Sequence, residues 1–125
     1  MSLAYFDDTA RLRIKCGPSF AVRDVPRVKV DFTTGGEEDR ATLYIPLSGV
    51  RDARYVSPSD WDEEAPPSDG FTVRPGDGFT FENTGRNGAP AVSSPGIFEI
   101  TSVTVYTRGS RRMRHIKATG VRRDT

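Results

Sequence analysis

GDGFTFENTG (residues 76–85) and GIFEITSVTVYTRGSRRMRHIKATGVRR (residues 96–123) decide the fold of this chain. Phe79 and Phe81 alternate with small polar residues behind a Pro75-Gly76-Asp77-Gly78 turn, as a half-buried strand does. Residues 97–106 and 113–121 form a terminal strand pair. Its first member changes phase: Phe98 and Ile100 share one parity, Val103 and Val105 the other. A bulge or sharp coil at Thr101-Ser102 reconciles the two faces, and such bends close small barrels. Between them, residues 83–96 form a long Gly- and Ser-rich loop, a length that usually marks function or motion.

The same alternation runs outward through the chain. Leu12, Ile14 and Cys16 alternate with Arg11, Arg13 and Lys15, giving a strand with one basic face. Val28, Val30 and Phe32, then Leu43, Ile45 and Leu47, flank TTGGEEDR and predict a β-hairpin. Phe71 and Val73 read as a further strand. Nine prolines and twelve glycines punctuate the 125 residues and leave no long helical stripe. The expectation is a single all-β domain, residues 1–125. It is a small antiparallel β-barrel of about seven short strands with long loops and at most short helical turns. Leu12, Ile14, Val28, Val30, Phe32, Leu43, Ile45, Phe79, Phe81, Phe98 and Ile100 are its predicted core.

Residues 51–70 interrupt this pattern as an acidic, Pro-rich excursion. Ser59 or Asp60 is placed to cap one helical turn through Trp61, which Pro66 and Pro67 end. Trp61 among acids reads as the loop's anchor on the barrel.

Charge is nearly balanced at +1 but unevenly spread. Residues 1–70 carry nine basic and thirteen acidic side chains, whereas residues 71–125 carry nine and four. Seven of those cations, Arg108, Arg111, Arg112, Arg114, Lys117, Arg122 and Arg123, fall within residues 107–123 without one acid. Guanidinium forks suit carboxylates and phosphates, so this hairpin is the best candidate contact surface. Aromatic interleaving in sequence is poor there, with only Tyr106 nearby.

Catalytic chemistry finds no support. One His and one Cys rule out an ordinary zinc site, and the acids at 60–64 lack EF-hand spacing. His115 sits among four cations on a strand and reads as a surface residue. Cys16 reads as buried filler. GRNG and PGDG precede no helix, so they fail as nucleotide signatures. No enzyme, cofactor or metal is expected. No run approaches a membrane span, and the N-terminus lacks a signal peptide's basic region and apolar core, so the expected location is cytoplasmic.

The C-terminal half resembles the head-completion proteins of tailed phages, also called stoppers or head–tail connectors of the virion neck. The resemblance rests on Val73, Pro75, Gly76, Asp77 and Phe79, then Gly96, Phe98, Ile100 and Val103, then His115, Thr119, Gly120 and Val121, and it covers residues 71–123. It implies a virion structural subunit, assembled in the host cytoplasm, that forms a homo-oligomeric ring between the portal complex and the tail. Portal or adaptor and tail proteins are its implied partners, with double-stranded DNA touched without sequence reading. On that basis Arg108, Arg111, Arg112, Arg114 and Lys117 are the expected inter-subunit or DNA contacts. Asn83, Arg86, Asn87, Gly88 and Gly96 mark the expected gating loop. The first 70 residues fall outside the match. Other readings are a minor tail or capsid-associated subunit, or a monomeric barrel-type module that binds peptide or nucleic acid.

Overall fold

Gly17 and Pro18 make the first reversal of the chain. Gly17 has φ 63°, the left-handed geometry that a two-residue hairpin turn demands. It joins β1 (Asp8–Cys16) to β2 (Ser19–Thr33), and Cys16 pairs with Ser19. The computed structural model describes residues 7–33, 38–47, 54–83, 92–107 and 114–122. Its remaining strands are β3 (Arg40–Pro46), β4 (Gly78–Asn83), β5 (Val92–Ser93), β6 (Phe98–Tyr106) and β7 (His115–Arg122).

The antiparallel order β1-β2-β3-β7-β6-β4 closes on itself through β1–β4 pairing, Thr9 opposite Glu82 to Arg13 opposite Gly78. The fold is therefore a closed six-stranded barrel, with the two-residue β5 added to β4. The expected all-β barrel and the β2–β3 hairpin are both present.

Closure depends on two bends. In β2, Thr9 faces Pro26 while Asp8 faces Val28, which leaves Arg27 unopposed at φ 59°. Before this bulge β2 pairs with β1; after it, from Lys29, β2 pairs with β3. The buried Asp8 carboxylate accepts the Val30 N–H at 3.0 Å and pins the corner. In β6 the register shifts between Ile100 and Ser102, so Thr101 is the extra residue and its hydroxyl donates to the Thr119 carbonyl at 3.1 Å. The phase change in sequence had located this bend.

Inside, Phe98 stacks on Phe79 at 5.7 Å and tilts against Phe81 at 5.6 Å. Phe32 meets Phe98 edge-on at 5.8 Å. Ten of the eleven predicted core residues are buried; Phe32 is half-buried and packs against the others. Gly120 on β7 lies so close that a Cβ there would stand 2.8 Å from a Phe79 ring carbon. The free Cys16 thiol is buried.

Two sequence expectations need correction. Phe71–Val73 is not a strand: among the described residues its only ladder contact is an isolated parallel bridge from Phe71 to Tyr55. Phe71, Thr72 and Val73 are all buried, because the segment runs beneath the excursion rather than along a sheet face. Residues 57–62 likewise hold a turn, Asp60 N–H to Ser57 carbonyl at 3.0 Å, and no capped helix follows. Proline-rich flanks leave too few residues to propagate one.

The Arg74–Asp77 turn clips the barrel together. Pro75 and Gly76 (φ 96°) occupy its centre, as a type II turn requires. Arg74 grips Asp77 with Nε to Oδ2 at 2.8 Å and Nη2 to Oδ1 at 3.2 Å. Asp77 Oδ1 also accepts the Lys15 N–H at 3.1 Å, and Arg74 Nη2 donates to the Lys15 carbonyl at 2.7 Å. Main-chain bonds tie Gly76 and Asp77 to Ile100, each at 2.8 Å. One turn thus joins β1 to β6.

Candidate nucleic-acid interface

Alternation that buries Leu43, Ile45 and Ile116 also turns their neighbours outward. On the outer face Tyr106 of β6 lies opposite His115 of β7, Lys117 lies between Thr104 and Tyr44, and Tyr44 of β3 lies opposite Lys29 of β2. Tyr106 and His115 stack at 4.5 Å with planes 20° apart. Tyr44 tilts against the same imidazole at 6.4 Å. Lys29 Nζ stands 5.8 Å from the Tyr44 ring centre and 3.8 Å from Asp31. The outcome is a strip of three aromatic rings flanked by two ammonium groups, with Tyr106 43% exposed at its open end.

This arrangement answers the poor aromatic interleaving seen in sequence. Tyr44 and Lys29 reach the hairpin across the sheet, more than sixty residues away in the chain. Their outward parity was visible in the strands, but their partners were not. A Tyr or His face stacks on a base, a Tyr hydroxyl bonds a phosphate oxygen, and ammonium groups neutralise phosphate charge. Such a strip has the chemistry to hold a polyanion without reading its sequence.

The predicted contact residues divide. Lys117 lies in the strip. Arg114 stands half-buried at its end, with its carbonyl accepting the Leu47 N–H at 2.8 Å. Arg122, in the same sequence cluster, pairs with Asp39 at 2.9 Å, so an acid from the β2–β3 connection neutralises it. Arg108, Arg111 and Arg112 lie outside the described residues.

The predicted gating loop divides too. Asn83 pairs with Val92 at the end of β4. Ser94 bonds Phe81 in both directions, N–H to carbonyl at 2.8 Å and hydroxyl from the Phe81 N–H at 3.2 Å. Gly96 lies against the Arg122 side chain. Both ends of the 83–96 stretch therefore belong to the barrel wall, while Arg86, Asn87 and Gly88 lie outside the described residues.

Trp61 is buried in the core cluster. Around it the excursion is fastened through its backbone: Arg23 donates to the carbonyls of Gly70 at 3.0 Å and Pro67 at 2.6 Å, and Arg54 to that of Asp69 at 2.8 Å. Asp60, Asp62, Glu63, Glu64 and Asp69 stay exposed. Tyr55, packed on Phe71 at 5.9 Å, has its phenol pushed above the ordinary range by burial.

Among the described residues no group of three or more His, Cys, Asp or Glu is arranged to hold a metal ion, and no helix is long and apolar enough to cross a membrane. Comparison with protein-family models, curated proteins and solved structures finds no match for this chain.

Proposed function

We propose that this chain is a non-catalytic virion structural subunit, a head–tail connector or stopper that forms a ring between portal complex and tail and contacts DNA through the Tyr44–His115–Tyr106 face. The observation that carries the reading is the joining of Lys29 and Lys117 with three aromatic rings on one face of a closed barrel. The Val73–Phe79 segment, which carries part of the resemblance, supports it, since that segment holds the turn that clips the barrel. A ring subunit needs a stiff wall with one face turned to a polyanion, and phosphate attraction alone suffices for DNA passing through a channel.

The test replaces Arg111, Arg112 and Arg114 with Glu, and separately Lys29 and Lys117 with Glu, in the full chain produced with its neighbouring virion proteins. Both variants should fold, and both should fail to assemble or to retain DNA. Assembly and DNA retention like the parent's would remove the reading. The exposed Tyr106 ring favours a second one, a free-standing module that binds unpaired nucleic acid by stacking. That module would hold single-stranded DNA more tightly than duplex and lose the preference on Tyr106→Ala.

A further inference from the structure

The outward face of β3, β7 and β6 continues past the aromatic strip. Outward positions along a strand recur every second residue, about 6.6 Å apart. On β7 they are His115, Lys117 and Thr119. Each heads a rung across the sheet: Tyr106 beside His115, Tyr44 and Thr104 on either side of Lys117, and Thr42 and Ser102 on either side of Thr119. The third rung is therefore a row of hydroxyls, one from each strand.

That rung differs from its neighbours in carrying neither charge nor ring. Thr42 and Thr119 are half-buried and Ser102 is exposed, and none of the three hydroxyls is hydrogen-bonded among the described residues. The adjacent Thr101 hydroxyl, by contrast, is spent on the Thr119 carbonyl at 3.1 Å. Carboxylates border the face. Asp31 of β2 lies opposite Thr42 and stands 3.8 Å from Lys29, and Glu99 of β6 lies one rung further on, opposite Val121. A polyanion is thus kept off β2 and off the start of β6, and the room left to it runs along β7.

We propose that one strand of the bound nucleic acid lies along β7, with a phosphate held by charge at the Lys117 rung and the next held by hydroxyls at the Thr42–Thr119–Ser102 rung. This rests on the reading of this face as a nucleic-acid contact, and adds to it the direction of the path and three neutral contact residues. The advance from one rung to the next is close to the step between neighbouring phosphates of one nucleic-acid strand. Ser and Thr hydroxyls donate to phosphate oxygens. They neutralise no charge, so they release no counterions, whereas an ammonium group does. At the other end of the path the exposed Tyr106 ring, stacked on His115 at 4.5 Å, meets sugar or base. The face holds one nucleotide per rung.

The test is binding of the full-length chain to a fluorescent duplex of mixed sequence, followed by anisotropy across a series of NaCl concentrations. A Thr42→Val/Thr119→Val double variant keeps side-chain shape and strand preference and loses two hydroxyls. It should bind about tenfold more weakly at every salt concentration, with the slope of log affinity against log salt unchanged. Ser102→Ala, at an exposed position, should lose about threefold in the same way. Lys117→Gln should weaken binding and also reduce the slope by about one. Thr42→Ser/Thr119→Ser, which keeps both hydroxyls, should bind like the parent. Valine and alanine variants that bind like the parent would overturn the proposal. So would serine variants as weak as the valine ones, or a valine slope that falls as the Lys117→Gln slope does. A parent that binds no duplex removes the nucleic-acid reading of the face together with the hydroxyl rung; a parent that binds, with variants that bind equally, removes the hydroxyl rung alone.

Discussion

Asp77→Ala should open the turn that joins β1 to β6. The Asp77 side chain is 4% exposed and its partner Arg74 19%, so the pair is largely withdrawn from water. Removing the carboxylate strands two Arg74 hydrogen bonds, at 2.8 and 3.2 Å, and the Lys15 N–H bond at 3.1 Å. Arg74 keeps Glu63 at 3.2 Å and the Lys15 carbonyl, which limits the loss. Deleting one partner of a mostly buried ion pair costs about 3–5 kcal/mol, and the retained contacts place this case near the lower end. A domain of this size has about 5–15 kcal/mol in total. With a urea slope of about 1.5–2 kcal/mol/M, the unfolding midpoint should fall by about 2 M. Urea unfolding followed by Trp61 fluorescence measures it, with exposed Asp60→Ala as a control expected to stay within about 0.5 kcal/mol. Replacing Arg74 and Asp77 together should cost less than the sum of the single changes, since neither is then left with an unpaired charge. An Asp77→Ala midpoint equal to the parent's would refute the view that this turn holds the barrel closed.

Other outcomes follow from the core and from Tyr55. Ile45→Ala, at a fully buried site, should cost about 2–5 kcal/mol, and Phe32→Ala less than a fully buried Phe would, because Phe32 is half-exposed; equal denaturant midpoints for both variants and the parent would contradict the packing. Gly120→Ala should destabilise by about 1–3 kcal/mol in the same assay, since its Cβ meets the Phe79 ring at 2.8 Å. Burial raises the Tyr55 phenol above its ordinary value, so its contribution to stability is complete below pH of about 10 and lost as pH climbs through the raised value. A phenolate absorbance titration should show that the component missing in Tyr55→Phe lies above the ordinary tyrosine range, and a component within that range would contradict it.

Much of the fold was legible because its strands obey simple alternation. Leu43 and Ile45 declared the hairpin, and the parity change between Ile100 and Val103 declared the bulge. The long β2 was less legible. Phe20 and Val22 point to solvent while Ala21 and Val25 point in, and Pro26 with Arg27 resembles a loop when it is a barrel corner. Phe71–Val73 misled for the opposite reason: its apolar residues are buried under the excursion, which asks for no strand partner. Half of the candidate interface was readable as charge, through Arg114 and Lys117. The other half, Tyr44 and Lys29, exists only through cross-strand register, which a pattern along one segment does not contain.

The measurement closest to the proposed connector role is the company the chain keeps when expressed together with the portal and tail genes of a tailed phage. Carrying an affinity tag, it should sediment with large assemblies that retain nuclease-protected DNA, and lose both on replacement of Lys29 and Lys117 by Glu. A chain that sediments only as free protein, with all of those assemblies intact without it, would contradict the account.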